Sequence, residues 1–585
     1  MDILGISCFY HDAAACLLRD GRIIAAAEEE RFSRRKHDSG FPEQAIRYCL
    51  EAGEIVPEEL DYVIFYEKPL LKFERIATSY AASFPSSRGV FVRAMQTWLS
   101  DKLWIRSQIR KQLGYSGSIL FGEHHLSHAA SAFFPSPFEE AAVVTADGVG
   151  EWSTTTLGVG RGLDLELTHE LHYPHSLGLL YSAFTAYLGF EVNEGEYKVM
   201  GMAAYGQTRY VDQVKQLIHL AEDGSFHLDM RYFAYHRSLR SITRAFVDLL
   251  GPPRRAEAEL DQRYADLAAS IQTVTEDAMV GLARRARELT GARNLCMAGG
   301  VALNVLGNSR VLRDAGFDNL WVQPAAGDSG GCVGAATYLY HSVLGEGRRE
   351  VMHTAYLGPE FSDAEIQAFL RAHDVPFQAL EREQIAPVVG RLLAEGNVIG
   401  WFQGRMEFGP RALGARSILA NPTEESMRDK VNAKIKHREQ FRPFAPSVLR
   451  EAASTYFTFD GRDRESPFML LVAEVKPDKR HLVPAITHAD GTARVQTVRR
   501  EQQPLYYDLI EAFGKLTGVP VLLNTSFNVR GEPIVCTPAE AFNSFSHTDM
   551  DYLVLGNALV PASAKRQLSA YPGAVTVHAG DEVVV

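Results

Sequence analysis

The sequence has little cysteine, 6 residues in 585, and Cys8, Cys16, Cys49, Cys296, Cys332 and Cys536 form no C-x-x-C pair. That scatter excludes a disulfide framework, argues against a closed thiolate zinc centre and suits a reducing compartment. Positive charge is also in deficit: 60 Lys and Arg face 72 Asp and Glu, for a net charge of −12. Such a balance disfavours a nucleic-acid partner, which calls for a broad basic face. No apolar run reaches the ~18 residues of a membrane span. The start, "MDILGISCFYHD", lacks the basic and apolar regions of a signal peptide. A cytoplasmic location, with no membrane partner, is therefore the expectation.

What is present is an ordinary globular composition, 46% hydrophobic and 23% charged, long enough for two large domains. "DILGISC" and "AAACLLRDGRIIAAAEEE" predict three strands, with "RDG" as a hairpin turn. "AAVVTADGVGEWSTTTLGVGRG" repeats the theme, an apolar strand ending at Asp147, then a glycine turn and a Thr-rich strand. This repetition predicts an α/β fold class with a duplicated ribonuclease-H-like core, the plan of actin-like ATPases. "LCMAGGVALNVLGNSRVL" and "VQPAAGDSGGCVGAATYLYHSV" each set a glycine-rich turn between a strand and a helix. Helix N-termini suit phosphate or ribose; a tight connection with no ligand reads the same way. A boundary is expected near "GEGRREVMHTAYLGPEFSDAEIQAFL", where Ser362 and Glu365 make a capping box. Thr537 and Glu540 make a second, with Pro538 at the first helical position. From about Ser563 the chain reads as a tail.

Two groups of residues carry chemistry. In "GEHHLSHAASAFFPS", His124 and His128 stand four apart, on one face of a helix. Asp147 and Asp328 follow strands, and loops at strand ends converge on one sheet edge, so they are the expected third and fourth ligands. Mixed imidazole and carboxylate donors suit iron, zinc or manganese; the same spacing fits two histidines in a core. In the second half, Arg405, Arg411 and Arg416 lie among glycines, Lys436, Arg438 and Arg442 follow, and Ser526 and Asn528 precede Arg530. Apolar neighbours on both sides predict half-buried cations forming an anion pocket, against the alternative of a solvated charged face.

With "FYHDAAACLL", "AAAEEERFSRRKH", "HHLSHAASAFF", "VMGMAAYG", "AGGVALN", "GPRALGARSIL", "FRPFAPS" and "LNTSFNVRGEPIV" in that order, the sequence resembles the O-carbamoyltransferases of nodulation and antibiotic biosynthesis along nearly its whole length. The resemblance implies a TsaD-like domain over 1–355 and a YrdC-like domain over 356–585. The second would make carbamoyl adenylate from ATP and carbamoyl phosphate, and the first would pass the carbamoyl group to a hydroxyl of a small-molecule acceptor. It implies a divalent metal, Fe(II), on His124, His128, Asp147 and Asp328, with Mg2+ accompanying ATP. It makes His11 the base at the transfer site, beside Asp12 and Lys36. Gly299, Gly300 and Asn304, with Lys436, Arg438, Ser526 and Asn528, would bind nucleotide. Arg411, Arg416, Arg442 and Arg530 would bind carbamoyl phosphate or its phosphate. Related hydrogenase-maturation enzymes add an acylphosphatase domain and C-x-x-C zinc fingers, absent from this sequence, and tRNA threonylcarbamoylation would call for a basic surface. A non-catalytic nucleotide-binding regulator is the alternative outside catalysis. The aromatic segment between about Phe65 and Ser116 reads as helix packing, or as part of an acceptor pocket.

Overall fold

Short apolar strands closed by tight turns lay down the first half of the chain. The computed structural model describes residues 1–566 except 101, 257, 348–349 and 437–440; Arg438 and most of the expected tail lie outside the described residues. These residues divide into two compact units, 1–29 with 37–352, and 30–36 with 353–566.

In the first unit, β1 (Asp2–Ser7), β2 (Ala14–Arg19), β3 (Arg22–Glu28), β4 (Tyr62–Phe65) and β5 (Ser118–Phe121) form a sheet in the order β3-β2-β1-β4-β5. β1 and β2 are antiparallel, Asp2 opposite Arg19 and Ser7 opposite Ala14. β2 turns into β3 at Asp20 and Gly21, both with positive φ (49° and 79°), as a two-residue hairpin of this hand requires. β4 joins β1 in parallel, Ile3 opposite Tyr62, and β5 joins β4, Tyr62 opposite Ser118.

The second sheet repeats this plan. β6 (Glu140–Ala146), β7 (Ser153–Arg161) and β8 (Asp164–His172) form the antiparallel meander, and the strands Asn294–Ala298 and Asn319–Val322 add in parallel beyond β6. Two sheets with the same strand order and directions are the duplicated ribonuclease-H-like α/β fold that the sequence predicts. Because parallel strands end on one edge, the segments after β1, β4, β6, Asn294–Ala298 and Asn319–Val322 are delivered to carboxyl ends, where α/β folds place ligands.

The helix His124–Phe133 is buried at every position but Leu126. It packs on the helix Gly331–Tyr338 so closely that a Cβ on Gly334 would lie 1.7 Å from the Ser127 carbonyl oxygen. Ala129, Phe133, Val143 and Cys296 carry this contact into the core. Three helices, Pro69–Ala82, Arg88–Ser100 and Ile105–Leu113, separate β4 from β5, and Ile76, Tyr80, Val90, Ala94 and Trp98 pack together between them. Most of the aromatic segment is thus helix packing.

The second unit is built on a mixed eight-stranded sheet with Ile399–Phe402, Arg416–Ala420, Val521–Ser526 and Ala445–Leu449 side by side at its centre. Helices Arg382–Ala394 and Pro504–Thr517 cover it, burying Trp401, Tyr506, Leu509 and Phe513. Ser362 and Thr537 cap their helices with Glu365 and Glu540 answering reciprocally. Among the described residues no helix is long and apolar enough to cross a membrane.

Candidate functional site

His124 opens its helix immediately after β5, and the helical repeat brings His128 onto the same face. Their Nε2 atoms lie 3.1 Å apart. Asp147, one residue beyond β6, places Oδ2 3.1 Å from His124 Nε2 and 3.7 Å from His128 Nε2. Asp328, in the turn after Asn319–Val322, brings Oδ1 to 3.6 and 3.4 Å from the same nitrogens. All four side chains are buried, and their donor atoms lie within 4.8 Å of one another.

These separations suit a shared cation. Four donors at ~2.1 Å from one ion, arranged tetrahedrally, would stand about 3.4 Å apart. Asp328 Oδ1 is buried without a hydrogen-bond partner among the described residues, so an acceptor faces the centre of the cluster. The charges agree. Burial opposes it, yet Asp328 and the bond to Asp147 push the His124 imidazole up to about 10. His128 is raised against burial by Asp147 and Asp328, and the imidazoles in turn hold Asp147 well below the usual carboxylate range despite its burial. Two buried carboxylates thus draw positive charge into this space.

The surroundings fix the donors. Gly300 N–H donates to Asp147 Oδ1 at 2.9 Å. Gly299, which precedes it, has φ +92°, and a Cβ there would meet the Ala146 carbonyl oxygen at 2.2 Å. The glycine turn therefore orients Asp147. Asn304 caps the next helix through Gly307 N–H and exchanges hydrogen bonds with Gln272. Glu151 accepts from the His124 backbone N–H, and Glu67 Oε2 lies 3.6 Å from His124 Nδ1. Burial opposes the ionisation of Glu67, but Lys72 at 2.7 Å holds it down at about 2. Tyr66 donates its hydroxyl to Asp328 Oδ2 at 3.4 Å. His125 is a structural neighbour: its ring nitrogens meet Thr145 Oγ1 and the Ser153 carbonyl, and burial keeps it neutral.

His11 follows β1, and its Nδ1 lies 3.0 Å from Asp12 Oδ2. The other Asp12 oxygen lies 2.9 Å from His37 Nδ1. His11 Nε2 thereby points toward Asp328 Oδ2, 3.8 Å away. Burial works against it, but Asp328 and Asp12 raise His11 to about 10. Lys36 is half-buried and groups with the second unit rather than with His11.

In the second unit, Lys436 ends a helical turn and is 4% exposed. Its Nζ donates to Asn528 Oδ1 (2.6 Å), the Asn528 carbonyl (2.8 Å), the Ser526 carbonyl (2.9 Å) and Ser526 Oγ (3.3 Å). Three residues of the expected nucleotide signature thus meet across 90 positions of sequence. Arg530 is exposed on the same loop; Arg411 and Arg442 are half-buried.

The expected anion-binding role of Arg416 needs correction. Arg416 is fully buried, its guanidinium donates to the carbonyls of Gln403, Gly404, Ala415 and Pro359, and it lies 3.6 Å over the Phe402 ring. Arg405 likewise holds the carbonyls of Leu357 and Gly358. A buried guanidinium needs acceptors, and here main-chain carbonyls supply them.

Sequence reasoning missed Glu67, Tyr66, Glu151 and His37. Glu67 and Tyr66 directly follow β4, and that strand-end position is the signal that could have found them. It also missed Glu407, whose Oε1 accepts from the N–H groups of Leu413, Ala415 and Arg416 and so shapes the glycine-arginine loop.

Comparison with known proteins gives these clusters a context. Residues 2–337 match the model of the carbamoyltransferase N-terminus and residues 390–561 that of the carbamoyltransferase C-terminus. The uncharacterised protein sll1178 of Synechocystis is 50% identical, over 97% of this chain and 97% of its own. The nodulation protein NolNO of Sinorhizobium fredii is 39% identical, over 94% of this chain and 79% of its own. Among solved structures, full-length HypF in a phosphate- and nucleotide-bound form matches 58% of this chain and 46% of its own at 15% identity, with a TM-score of 0.30.

Proposed function

The chain belongs to the carbamoyltransferase family, and from that premise we propose that it is an ATP-dependent O-carbamoyltransferase acting through carbamoyl adenylate on a hydroxylated small molecule. The observation that carries the reading is the junction of Lys436 with Ser526 and Asn528. A lysine fixed by oxygens of one turn presents a positioned charge where a triphosphate gains charge as pyrophosphate departs. In this reading, water releases carbamate and phosphate from carbamoyl phosphate. The carbamate oxygen then attacks the α-phosphorus of ATP and expels pyrophosphate. Arg438, Arg411, Arg442 and Arg530 are the further cations we assign to these phosphates.

Carbamate alone is a poor acyl donor, and AMP is the better leaving group of the mixed anhydride, which must be kept from water. Transfer then requires a base beside the acceptor hydroxyl. Asp12 takes up His11 Nδ1 and leaves Nε2 to face the incoming hydroxyl, the orientation a general base needs. His37 holds Asp12 in turn. The acceptor oxygen bonds to the carbamoyl carbon, AMP leaves, and the hydroxyl proton passes to Nε2 of the neutral His11 imidazole, so this step should speed up as pH rises toward about 10. His124, His128, Asp147 and Asp328 are the residues we assign to a divalent cation, with iron the favoured ion. When bound there, the ion supplies Lewis-acid polarisation to an oxygen next to it.

The test is pyrophosphate release from ATP, followed with and without carbamoyl phosphate, and mass spectrometry of a panel of hydroxylated compounds offered with both. Release that depends on carbamoyl phosphate, with carbamate esters among the products, supports the reading. Release that ignores carbamoyl phosphate ends it.

A further inference from the structure

The helix Pro69–Ala82 turns charge inward. Its buried residues are Pro69, Lys72, Arg75, Ile76 and Tyr80, one stripe of a helix that would ordinarily be apolar throughout. Lys72 has Glu67 as its partner at 2.7 Å. Arg75, 3% exposed, has no hydrogen-bond or ion-pair partner among the described residues, and its Nε is buried without an acceptor. Its guanidinium lies 4.9 Å from the centre of the Tyr173 ring, and burial outweighs the pull that Tyr173, Tyr10, Tyr80 and Glu67 exert on its charge.

Arg75 is not alone. Lys102, half-buried on the turn that follows the second helix, lies within electrostatic reach of both Lys72 and Glu67, and burial followed by repulsion from Lys72 depresses it to about 8. Three cations therefore share one carboxylate, which Lys72 already occupies. Burying a guanidinium away from water without an acceptor is unfavourable, so its retention points to an occupant that arrives from outside.

We propose that Arg75, with Lys72 on the same buried stripe of its helix and Lys102 within reach of Lys72, is an anion subsite of the first unit that takes a group with two or more anionic oxygens, a phosphate or a carboxylate. Such a group matches the bidentate fork of a guanidinium. The subsite adjoins the transfer residues: Lys72 Nζ lies 4.4 Å from the centre of the Tyr10 ring, which is 4.6 Å from that of His11. An occupant is thus either the adenylate phosphate or an acidic group of the acceptor. That last choice rests on the carbamoyl-transfer reading; anion binding does not.

Calorimetric titration separates the possibilities, with inorganic phosphate, AMP and acetate as probes and a Lys436→Ala chain as host, so that the second unit contributes least. One site is expected, and Arg75→Gln should weaken it at least about tenfold, with Arg75→Lys between the two. Preference for AMP identifies the adenylate phosphate, whereas similar binding of phosphate and acetate identifies an acidic acceptor. Absence of binding by all three probes, or unchanged affinity in Arg75→Gln, overturns the proposal. If Arg75→Gln fails to fold, Lys102→Gln at the rim makes the same test, with a loss of about threefold expected and unchanged affinity again decisive against it. Failure of the transfer reading would appear elsewhere, as missing carbamoyl-phosphate-dependent pyrophosphate release in the unaltered protein.

Discussion

In the first unit, His124, His128, Asp147 and Asp328 crowd two carboxylates and two imidazoles into one buried space, where the carboxylates call for positive charge, as protons on the imidazoles or as a cation in their place. In the second, four neutral oxygens of Ser526 and Asn528 gather around the Lys436 ammonium, a positive centre suited to an anion. The first cluster draws on one helix and two strand ends of a duplicated fold. The second hangs on one helical turn, the end of the strand Val521–Ser526 and the loop that follows it. The contrast teaches that the two proposed half-reactions call for opposite electrostatics at these two clusters.

The comparison can be broken most sharply at Lys436. Lys436→Ala should reduce carbamoyl-phosphate-dependent pyrophosphate release by about 10³-fold, the scale of losing a positioned donor to developing charge, while metal content measured by elemental analysis stays unchanged. Loss of metal along with pyrophosphate release would mean that the two clusters are not independent. The reciprocal change, His128→Ala, should lower metal affinity by more than about 100-fold and abolish product formation, yet leave pyrophosphate release in place. Chelation of the unaltered protein, with both partial reactions assayed afterwards, should reproduce that pattern.

A finer distinction concerns Glu67, which faces His124 but is not among the four donors. Glu67→Gln should weaken metal binding by about tenfold, the usual effect of removing a carboxylate behind a ligating histidine; an unchanged metal titration would show that the 3.6 Å contact orients nothing.

A further difference, in stability rather than in activity or metal binding, concerns the histidines of the two units. In the second, burial depresses His488 to about 4, so its neutral form is favoured on folding. Between pH 6.5 and 4 the unfolded chain binds this proton more readily, and stability falls as pH falls through that window. Urea unfolding of the second unit at pH 7.5 and pH 5 should show His488→Asn losing less stability than the unaltered protein, by on the order of 2 kcal/mol. Equal losses would remove His488 from the account.

Much of this was legible in sequence because it is local. The "RDG" turn, both capping boxes, the four-residue spacing of His124 and His128, and the strand ends at Asp147 and Asp328 all follow from backbone geometry over a few residues. Arginine roles did not follow. Arg416 and Arg411 sit in one glycine-rich loop and look alike in the sequence; only burial among the carbonyls of Gln403, Gly404, Ala415 and Pro359 marks Arg416 as a structural tie. Glu67 was hidden for a related reason, since its partners Lys72 and His124 lie on different helices.

By itself, then, the sequence determined the duplicated α/β plan, the family and the residue types at the strand ends, because hydrophobic periodicity, turn chemistry and motif order are properties of neighbours along the chain. The tertiary structure alone decided which charges face each other: that four side chains between positions 124 and 328 point into one space, that Lys436 meets Asn528, and that Arg75 is buried without a hydrogen-bond or ion-pair partner among the described residues. Electrostatic energy depends on distance through space and on exclusion of water, and neither quantity exists until the chain has folded.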